Sequence, residues 1–219
     1  LYPVFPFVIG SSLLLLLMVV GPSRARGEAV RFPTLPIAVA IAETEGKAVV
    51  PEGWVDTQVE WSNKIFAPHG IGFEVVDSRV LDEQHAKLET RRDRHALGAE
   101  VRGKVINWFV VESLRDVDDP SQYRRGVHWR PRGYPGKHFV ITSSIAGEIV
   151  LAHELGHFFG NRRHSKTPGN IMSYTRGKGI PFFDAPQIRK LHESTRRFLT
   201  SGELVPAKQL RPGKTKSSD

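Results

Sequence analysis

Two histidines four residues apart constrain the fold of this chain more than any other feature. They lie in HELGH (His153–His157), within the stretch LAHELGHFFGNRRHSKTPGNIMSYTRG (Leu151–Gly177). On an α-helix, which has about 3.6 residues per turn, this spacing places both imidazoles on the same face, where they can bind one metal ion. The sequence therefore predicts a helix here, with His153 and His157 as metal ligands.

Glu154 lies between these histidines, about 100° round the helix from the first of them. It is too far round to bind the same ion, but it can reach a water held by that ion. Neutral imidazoles are suitable ligands for zinc, and zinc with three protein ligands lowers the pKa of its water to about 7. The arrangement predicts Zn²⁺ as the cofactor and Glu154 as the general base that activates the zinc-bound water against a peptide carbonyl.

The residues after this helix supply a further histidine and a methionine. Gly156, inside the motif, allows a close approach, and Gly160 favours a left-handed exit from the helix. His164 follows that exit, and Asn170–Tyr174 reads NIMSY. An HELGH string alone can arise by chance on an amphipathic helix. Chance does not explain these additional features.

Together, HELGHFFGNRRH and NIMSY resemble the metzincin zinc endopeptidases, whose pattern is HExxHxxGxxH followed by a methionine-containing turn. The predicted order of strands and helices is similar to theirs from Leu35 to Phe198. The tyrosine two residues after the methionine further resembles the serralysin and astacin branches. The resemblance implies a minimal matrixin- or serralysin-like catalytic domain that binds zinc and hydrolyses a peptide or protein substrate.

The chain departs from the family pattern at the third ligand. That pattern has a histidine three residues after the glycine, where this chain has Arg163. A guanidinium is permanently cationic and offers no lone pair to a metal. A loop leaving Gly160 can absorb one extra residue, about 3.5 Å of chain, with Arg163 turned to solvent. We therefore predict His164 as the third metal ligand; the alternatives are Asn161, Tyr174 or a degenerate site.

The resemblance also implies roles for the methionine and the tyrosine of NIMSY. Met172 would form an apolar floor beneath the zinc without binding it. Tyr174 would either bind the metal or donate a hydrogen bond to the oxyanion that forms when the carbonyl is attacked. A surface tyrosine without a catalytic role is the alternative.

Apolar runs elsewhere predict one α/β domain, an α+β zincin. We expect a twisted, mostly parallel five-stranded sheet with an antiparallel edge strand, an active-site helix capped by Ser144, and a C-terminal helix. The charged segment before the central strand is expected to form a surface helix. The predicted strands are 35–43, 71–81, 105–114, 126–131 and 138–145, and the predicted helices are 51–70, 82–102, 145–159 and 182–202.

The first residues differ from the rest. Val4–Gly21 is an uncharged apolar run followed by small residues, which is typical of a secretory signal peptide. A retained membrane anchor is the alternative, because the run is about long enough to span a bilayer. We predict a signal peptide or membrane segment at 1–27, a catalytic domain at 28–203 and a basic, disordered tail at 204–219. The protein would be secreted or periplasmic.

Charge and composition narrow the possible partners. The net charge is +8, yet basic residues are scattered among acidic ones. No nucleic-acid-binding signature accompanies them, so we predict no nucleic-acid partner. The chain contains no cysteine, which excludes disulfides, thiolate zinc sites and a cysteine nucleophile. We expect a monomer, without stable membrane association once the leader is cleaved.

The predicted edge strand is where an extended substrate would bind, by pairing with the open edge of the sheet. His128, Trp129 and Arg130 are therefore candidates for the wall of the cleft. The loop Thr175–Asp184 would form the pocket for the side chain after the scissile bond; its basic residues favour acidic side chains, and its two phenylalanines favour apolar ones. Among the other histidines, we expect a structural role for His138 and solvent exposure for His69, His85, His95 and His192.

Three classes of function remain open. The first is a secreted zinc endopeptidase. The second is a catalytically silent binding protein whose zinc site decayed around Arg163; the intact Glu154 argues against it. The third is another HExxH hydrolase. A peptide deformylase-like site needs a cysteine ligand, which is absent, and a site using Glu193 would leave Gly160 and NIMSY unexplained. We favour the first class.

Overall fold

The computed structural model describes residues 30–134 and 136–210 of the 219-residue chain. The predicted leader at 1–27 lies outside these residues, as does the end of the predicted tail. Within the described ranges, no helix is both long and apolar enough to cross a bilayer. In chain order the elements are β1 (Leu35–Thr44), β2 (Lys47–Ala48), α1 (Trp54–Phe66), β3 (Phe73–Leu81), β4 (Lys87–Leu88), α2 (Arg91–Ala96), β5 (Ile106–Val111), β6 (Ser113–Leu114), β7 (Gly126–Trp129), β8 (Phe139–Ser143), α3 (Val150–Phe158) and α4 (Ala185–Ser201).

One mixed sheet forms the centre of the domain. Its five longer strands lie in the order β3, β1, β5, β8, β7, and the short β2 pairs with the end of β1. Strands β3, β1, β5 and β8 are parallel, whereas β7 runs antiparallel to β8 at the edge. The predicted mostly parallel sheet with an antiparallel edge strand is confirmed. Strands β5 and β8 are buried at every residue, as their continuous apolar runs predicted.

Helices cover one face of the sheet and irregular segments cover the other. On the first face, Trp108 of β5 packs among residues of α1, α3 and α4, including Phe66, Leu155 and Phe198. On the second face, Phe109 packs with residues from the chain between β3 and β5. Burial on both faces fixes the central strands firmly. Helix α3 therefore packs against the sheet and α1, and Phe158 at its end contacts Phe198 of α4.

The predicted surface helix at 82–102 is wrong. Only α2 is α-helical there, with short 3-10 helices at Glu83–His85 and Leu97–Glu100, and it begins with a capping box in which Thr90 and Asp93 bind each other's backbone N–H groups. Before it, β4 pairs in parallel with β6. Leu88 and Leu97 are fully buried in the second core, and His85, expected in solvent, is 7% exposed. These apolar contacts hold the segment against the sheet. One continuous helix could not make all of them.

Helix α3 begins at Val150, later than predicted. The hydroxyl of Ser144, the predicted cap, donates instead to the carbonyl of Glu112 at 2.8 Å. The first turn of α3 is held by Gln58 of α1, whose side-chain oxygen accepts from the N–H of Leu151 at 3.1 Å. A buried glutamine from a distant helix thus replaces the local cap and ties α1 to the helix that carries the histidines.

The domain continues past residue 203, where the sequence placed its boundary. Gly202, with φ of 73°, ends α4 in a left-handed conformation. Leu204 and Ala207 are each 1% exposed, and the N–H of Ala207 donates to the carbonyl of Thr34 at 2.9 Å. These contacts with distant residues anchor a segment whose composition alone predicted disorder. Residues 211–219 lie outside the described part of the chain.

Candidate metal centre

Three histidine side chains meet at the open face of α3, and we call them the histidine triad (His153, His157 and His164). The rings of His153 and His157 have centroids 4.9 Å apart, and the ring of His164 lies 5.3 Å and 5.0 Å from theirs. One nitrogen from each residue lies within 4.8 Å of the other two. Across residues 30–134 and 136–210, no other group of three metal-binding side chains comes together in this way.

Backbone carbonyls orient the two histidines of α3. His153 donates its Nδ1–H to the carbonyl of Ile171 at 2.7 Å, and His157 donates its Nδ1–H to the carbonyl of Asn161 at 2.7 Å. A proton on Nδ1 leaves the lone pair on Nε2. Nε2 of His157 lies 3.2 Å from Nε2 of His164. Metal-binding imidazoles are commonly held in this way, by an acceptor on the far side of the ring.

Burial favours the neutral, metal-binding form of these rings. It lowers the pKa of His157 to about 4, with a further contribution from the neighbouring His153. It also lowers the pKa of His153 and of His164 from the ordinary value. Imidazoles that are neutral at pH 7 keep their lone pairs available. The donor set therefore fits a divalent cation such as zinc.

The loop after α3 accommodates the extra residue before His164. Gly160 has φ of 97°, a conformation that favours glycine, and it reverses the chain at the end of the helix. Arg163 is exposed, and one residue later His164 turns its ring toward the other two histidines. Asn161, an alternative third ligand, is buried and donates its side-chain amide to the carbonyl of Gln187 at 3.5 Å.

Glu154 lies next to the histidine triad but outside it. Its side chain is 6% exposed. Burial raises the pKa of this carboxyl to about 8, against an opposing hydrogen bond from the backbone of His128. A carboxyl whose pKa lies near neutrality can both accept and return a proton during a reaction. Glu154 thus has the surroundings of a general acid–base group, and a strand of the sheet holds it in place.

Gly126 shapes the site although no sequence motif marks it. It begins β7 and passes directly over Glu154. A Cβ at position 126 would lie 2.9 Å from Cγ of Glu154, 3.1 Å from its Oε1 and 2.6 Å from a methyl carbon of Val150. These separations are too short for an ordinary Cβ contact. Only glycine lets the edge strand approach the carboxyl this closely, and the packing of β7 on α3 creates the contact.

Met172 lies beneath α3 in a buried turn. Its sulfur would be only 2.4 Å from a Cβ at position 156, so Gly156 makes room for it. The turn is held by Asn170, whose side-chain oxygen accepts from the N–H of Met172 at 2.9 Å and whose amide donates to Gln187 at 2.8 Å. This support positions Ile171, whose carbonyl orients one histidine of the triad.

Tyr174 stands at the solvent side of the histidine triad. It is 70% exposed, and its ring centroid lies 4.3 Å from that of His164 and 6.0 Å from that of His153. A side chain so exposed and so close to the triad can reach a group bound there. The structure thus brings Tyr174 to the site predicted for it, beside the histidines and not within their cluster.

A cleft of about 1390 Å³ runs across the histidine triad. Its walls are β7, the open face of α3, the loop that carries Tyr174 and one face of α4. His128, Trp129 and Arg130 line it, as predicted. Among the described residues β7 pairs only with β8, so its other edge is free to receive an extended chain.

A smaller cavity of about 260 Å³ adjoins this cleft. Trp61 of α1, Ile149 and the loop around Arg176 line it. Phe183, which the sequence assigned to the specificity pocket, is instead 4% exposed and packs against Phe66 in the core, with ring centroids 5.0 Å apart. Because Phe183 is buried in the core, Trp61 and Ile149 provide apolar surface to this cavity in its place.

Solved structures of metallopeptidases share this fold. Mature mirolysin from Tannerella forsythia matches with a TM-score of 0.54 at 13% identity, over 84% of this chain and 100% of that one. Archaemetzincin from Methanopyrus kandleri matches with a TM-score of 0.50 at 16% identity, over 75% and 97%. Metalloproteinase-II from Bacteroides fragilis matches with a TM-score of 0.52 at 15% identity, over 77% of this chain and 55% of that one, so this chain spans about half its length.

The sequence matches no protein-family model and no curated protein sequence. At such low identities, the likeness to the solved structures establishes the fold alone. The predicted fold class is confirmed: this chain has the α+β zincin fold.

Proposed function

We propose that this chain is a zinc-dependent endopeptidase. The observation that carries the proposal is the convergence of three histidine nitrogens within 4.8 Å of one another beside the buried Glu154. The site lies in a long cleft against a free sheet edge, which suits an extended peptide. The metzincin-like pattern of HELGH and NIMSY and the shared fold support it, and mirolysin itself was solved with a cleaved peptide.

His153, His157 and His164 would hold the zinc through their Nε2 atoms. The two carbonyls that accept Nδ1–H keep the rings of His153 and His157 in the required tautomer and orientation. Bound there, zinc supplies a Lewis acid that lowers the pKa of a water and polarises a carbonyl. His164 completes the set from the loop after α3, outside the helix that carries the other two, so its contribution to metal affinity can be measured separately.

Glu154 would move the protons of the reaction. Its carboxylate takes a proton from the attacking water and returns it to the nitrogen of the departing amine. The backbone N–H of His128 holds this carboxylate at the strand along which the substrate pairs. Tyr174, on the solvent side, would donate a hydrogen bond to the oxyanion. Pairing with β7 would orient the scissile carbonyl toward these groups.

We further propose that the protein acts after export, as a secreted or periplasmic monomer. The apolar run Val4–Gly21 and the small residues after it support an N-terminal signal peptide. Expression of the complete chain, followed by N-terminal sequencing of the exported product, tests this directly. A mature N-terminus near residue 28 is expected. A product that keeps the apolar run and stays in the membrane fraction would favour the anchor.

Metal analysis combined with a cleavage assay tests the proposed activity. The purified protein should contain about one zinc per chain and cleave members of a mixed peptide library, and a chelator should abolish cleavage until zinc is restored. Glu154→Gln is the matched control, because it should keep its zinc and lose cleavage. A wild-type protein that holds zinc and binds peptides without cleaving them would support the silent binding protein instead.

A further inference from the structure

The walls of the cleft carry charge of one sign. Seven arginine and lysine side chains line it, and among the described residues its only carboxylate is that of Glu154, which belongs to the proposed catalytic site. Arg124 pairs with Asp116, whereas no carboxylate in the described part of the chain forms an ion pair with the other basic residues of the lining. A peptide lying in this cleft would therefore meet an excess of positive charge.

Three of these side chains form what we call the arginine cluster (Arg130, Arg162 and Arg197). They come from three separate segments: the end of β7, the loop after α3, and α4. All three are exposed and line the cleft. Of the ion pairs within residues 30–134 and 136–210, none involves any of them.

The guanidinium group of Arg130 lies close enough to those of Arg162 and Arg197 to be repelled by both. Partial burial lowers the pKa of Arg130, and the positive charges of Arg162 and Arg197 lower it further. Glu203 opposes this effect, but its carboxylate oxygen already lies 2.6 Å from Nε2 of His138. Glu203 therefore offsets only part of the positive charge, and no ion pair within residues 30–134 and 136–210 joins it to the cluster. An anion bound from outside would relieve this repulsion.

Single exposed arginines are common, so lack of an ion pair is not enough by itself. Elsewhere in the domain many arginines are paired, as Arg91 is with Asp118 and Arg102 with Asp77. The arginine cluster differs because separate elements bring three guanidinium groups without an ion pair among the described residues into the cleft that crosses the histidine triad, two of them near enough to act on the third. Guanidinium groups bind carboxylates through two parallel hydrogen bonds, which gives strength and specificity.

We propose that the arginine cluster binds an acidic side chain, Asp or Glu, of the substrate within about three residues of the scissile bond. This inference rests on the proposed peptidase function. Its position follows from the edge strand: the backbone of His128 lies at the carboxyl of Glu154. Arg130 is two residues further along, about 7 Å at roughly 3.3 Å per residue. A peptide paired with β7 thus brings a neighbouring side chain to the cluster.

Paired peptides that differ in one charge test the proposal. Peptides that the protein cleaves are remade with Glu or Gln at each position near the scissile bond, with acetylated and amidated ends so that no terminal charge contributes. At one position, kcat/KM should be about tenfold higher for Glu. That preference should shrink in about 0.5 M salt. Equal rates for Glu and Gln at every position would overturn the proposal.

Single substitutions assign the preference to the cluster. Arg130→Gln and Arg197→Gln should each bring the Glu-to-Gln ratio of kcat/KM close to one. Arg189→Gln is the matched control: Arg189 is exposed on the same helix as Arg197 but does not line the cleft. It should leave the ratio unchanged. An equal fall in all three variants would overturn the proposal, because it would trace the preference to overall charge.

A binding measurement separates this inference from the proposed function. Zinc-loaded Glu154→Gln protein is titrated into fluorescent Glu and Gln peptides, and their anisotropy is recorded. Binding of the Glu peptide that is about tenfold tighter supports the proposed role of the arginine cluster, even if the wild-type protein cleaves no peptide. In that case only the peptidase proposal would be overturned. Cleavage and binding without any preference for Glu would overturn only the inference about the cluster.

Discussion

Two groups of histidines lie against the same helix, α3, and their geometry gives them different capacities. In the histidine triad, the Nδ1–H groups of two rings are bound by carbonyls, and nitrogens from all three converge on a common point. In the second group, which we call the buried pair (His128 and His138), Nε2 of one ring lies 2.8 Å from Nδ1 of the other. His138 then bonds to Glu203.

The difference shows what turns histidines into a metal site. The buried pair uses its facing nitrogens on each other, and Phe158 stacks on His138 with ring centroids 4.0 Å apart. Burial lowers the pKa of both rings, most strongly that of His128. The pair is thus satisfied internally and joins β7 to β8 and to the end of α4. Histidines therefore form a metal centre when their nitrogens have no other partner and converge on one point; the presence of histidine alone is not sufficient.

Removal of one triad residue should give the largest effect. His157→Ala takes away one of the two ligands fixed on the helix, so two imidazoles remain and zinc should be lost. We expect peptide cleavage to fall by more than about a hundredfold, beyond the loss typical of groups that only orient a ligand. Zinc content and kcat/KM are measured together. Full zinc retention would contradict the assignment of this residue as a ligand.

His164→Ala should have a smaller effect on the metal, because this residue lies on a loop and is exposed. Zinc affinity should fall by at least about tenfold while the helix histidines still bind. Competition with a chromophoric chelator measures the change. If affinity stays at the wild-type level, the third ligand lies elsewhere, and Tyr174→Phe in the same background is the next variant to measure.

Gly126 lies between the two histidine groups. It begins the strand that carries His128, and it approaches Glu154 beside the triad, so Gly126→Ala tests this position. The added methyl would strike Glu154, and displacing a reacting group by about 1 Å can cost about a hundredfold in rate. We expect lower kcat/KM with unchanged zinc content. Gly103→Ala is the control, because a Cβ there meets nothing within 4 Å. Equal activity of both variants would contradict the steric argument.

Substitution in the buried pair should reduce stability without removing zinc. His138→Ala leaves a cavity beside Phe158 and leaves Glu203 without its partner, so the free energy of unfolding should fall by about 2–4 kcal/mol. Glu203→Gln keeps the packing and should cost less, about 1 kcal/mol. Urea denaturation and zinc analysis check both. Loss of zinc from a folded His138→Ala protein would contradict the division between the two groups.

Acidification should give the smallest of these effects, a loss of folding stability that arises from the buried pair. Burial lowers the pKa of His128 below its ordinary value of 6.5, and His138, Arg130, His157 and Arg162 facing it lower it further. The unfolded chain therefore takes up the proton first as the pH falls. Stability should decrease below about pH 6.5, by up to about 1.4 kcal/mol per pH unit from this residue.

Comparing how the free energy of unfolding changes with pH in wild type and in His128→Asn isolates the contribution of His128. Both proteins are used without metal, so that the effect of acid on the triad is common to both and cancels. Urea unfolding at about pH 7 and pH 5 should show a steeper loss of stability for the wild type. Parallel losses in both proteins would mean that His128 is protonated in the folded state, against its burial.

Sequence patterns predicted the parts of the fold that depend on neighbours along the chain. Continuous apolar runs marked β1, β5 and β8, and helical spacing marked α1 and α4. The errors arose where distant contacts decide the structure. Leu88 and Leu97 draw the segment at 82–102 onto the sheet. Gln58 sets the start of α3 from another helix, and Leu204 is held by the core. A local sequence pattern cannot identify these partners, because they lie far away in the chain.

For the site, the sequence by itself determined that His153 and His157 share a helix face with Glu154 beside them, because covalent geometry sets side-chain directions over one helical turn. Only the tertiary structure decided that Gly126 would leave room for Glu154, that the carbonyls of Ile171 and Asn161 would orient the rings, and that three arginines from separate elements would line the cleft. Except for the contact of His157 with Asn161, which are four residues apart, those contacts join separate segments of the chain, and packing of the whole domain brings them together.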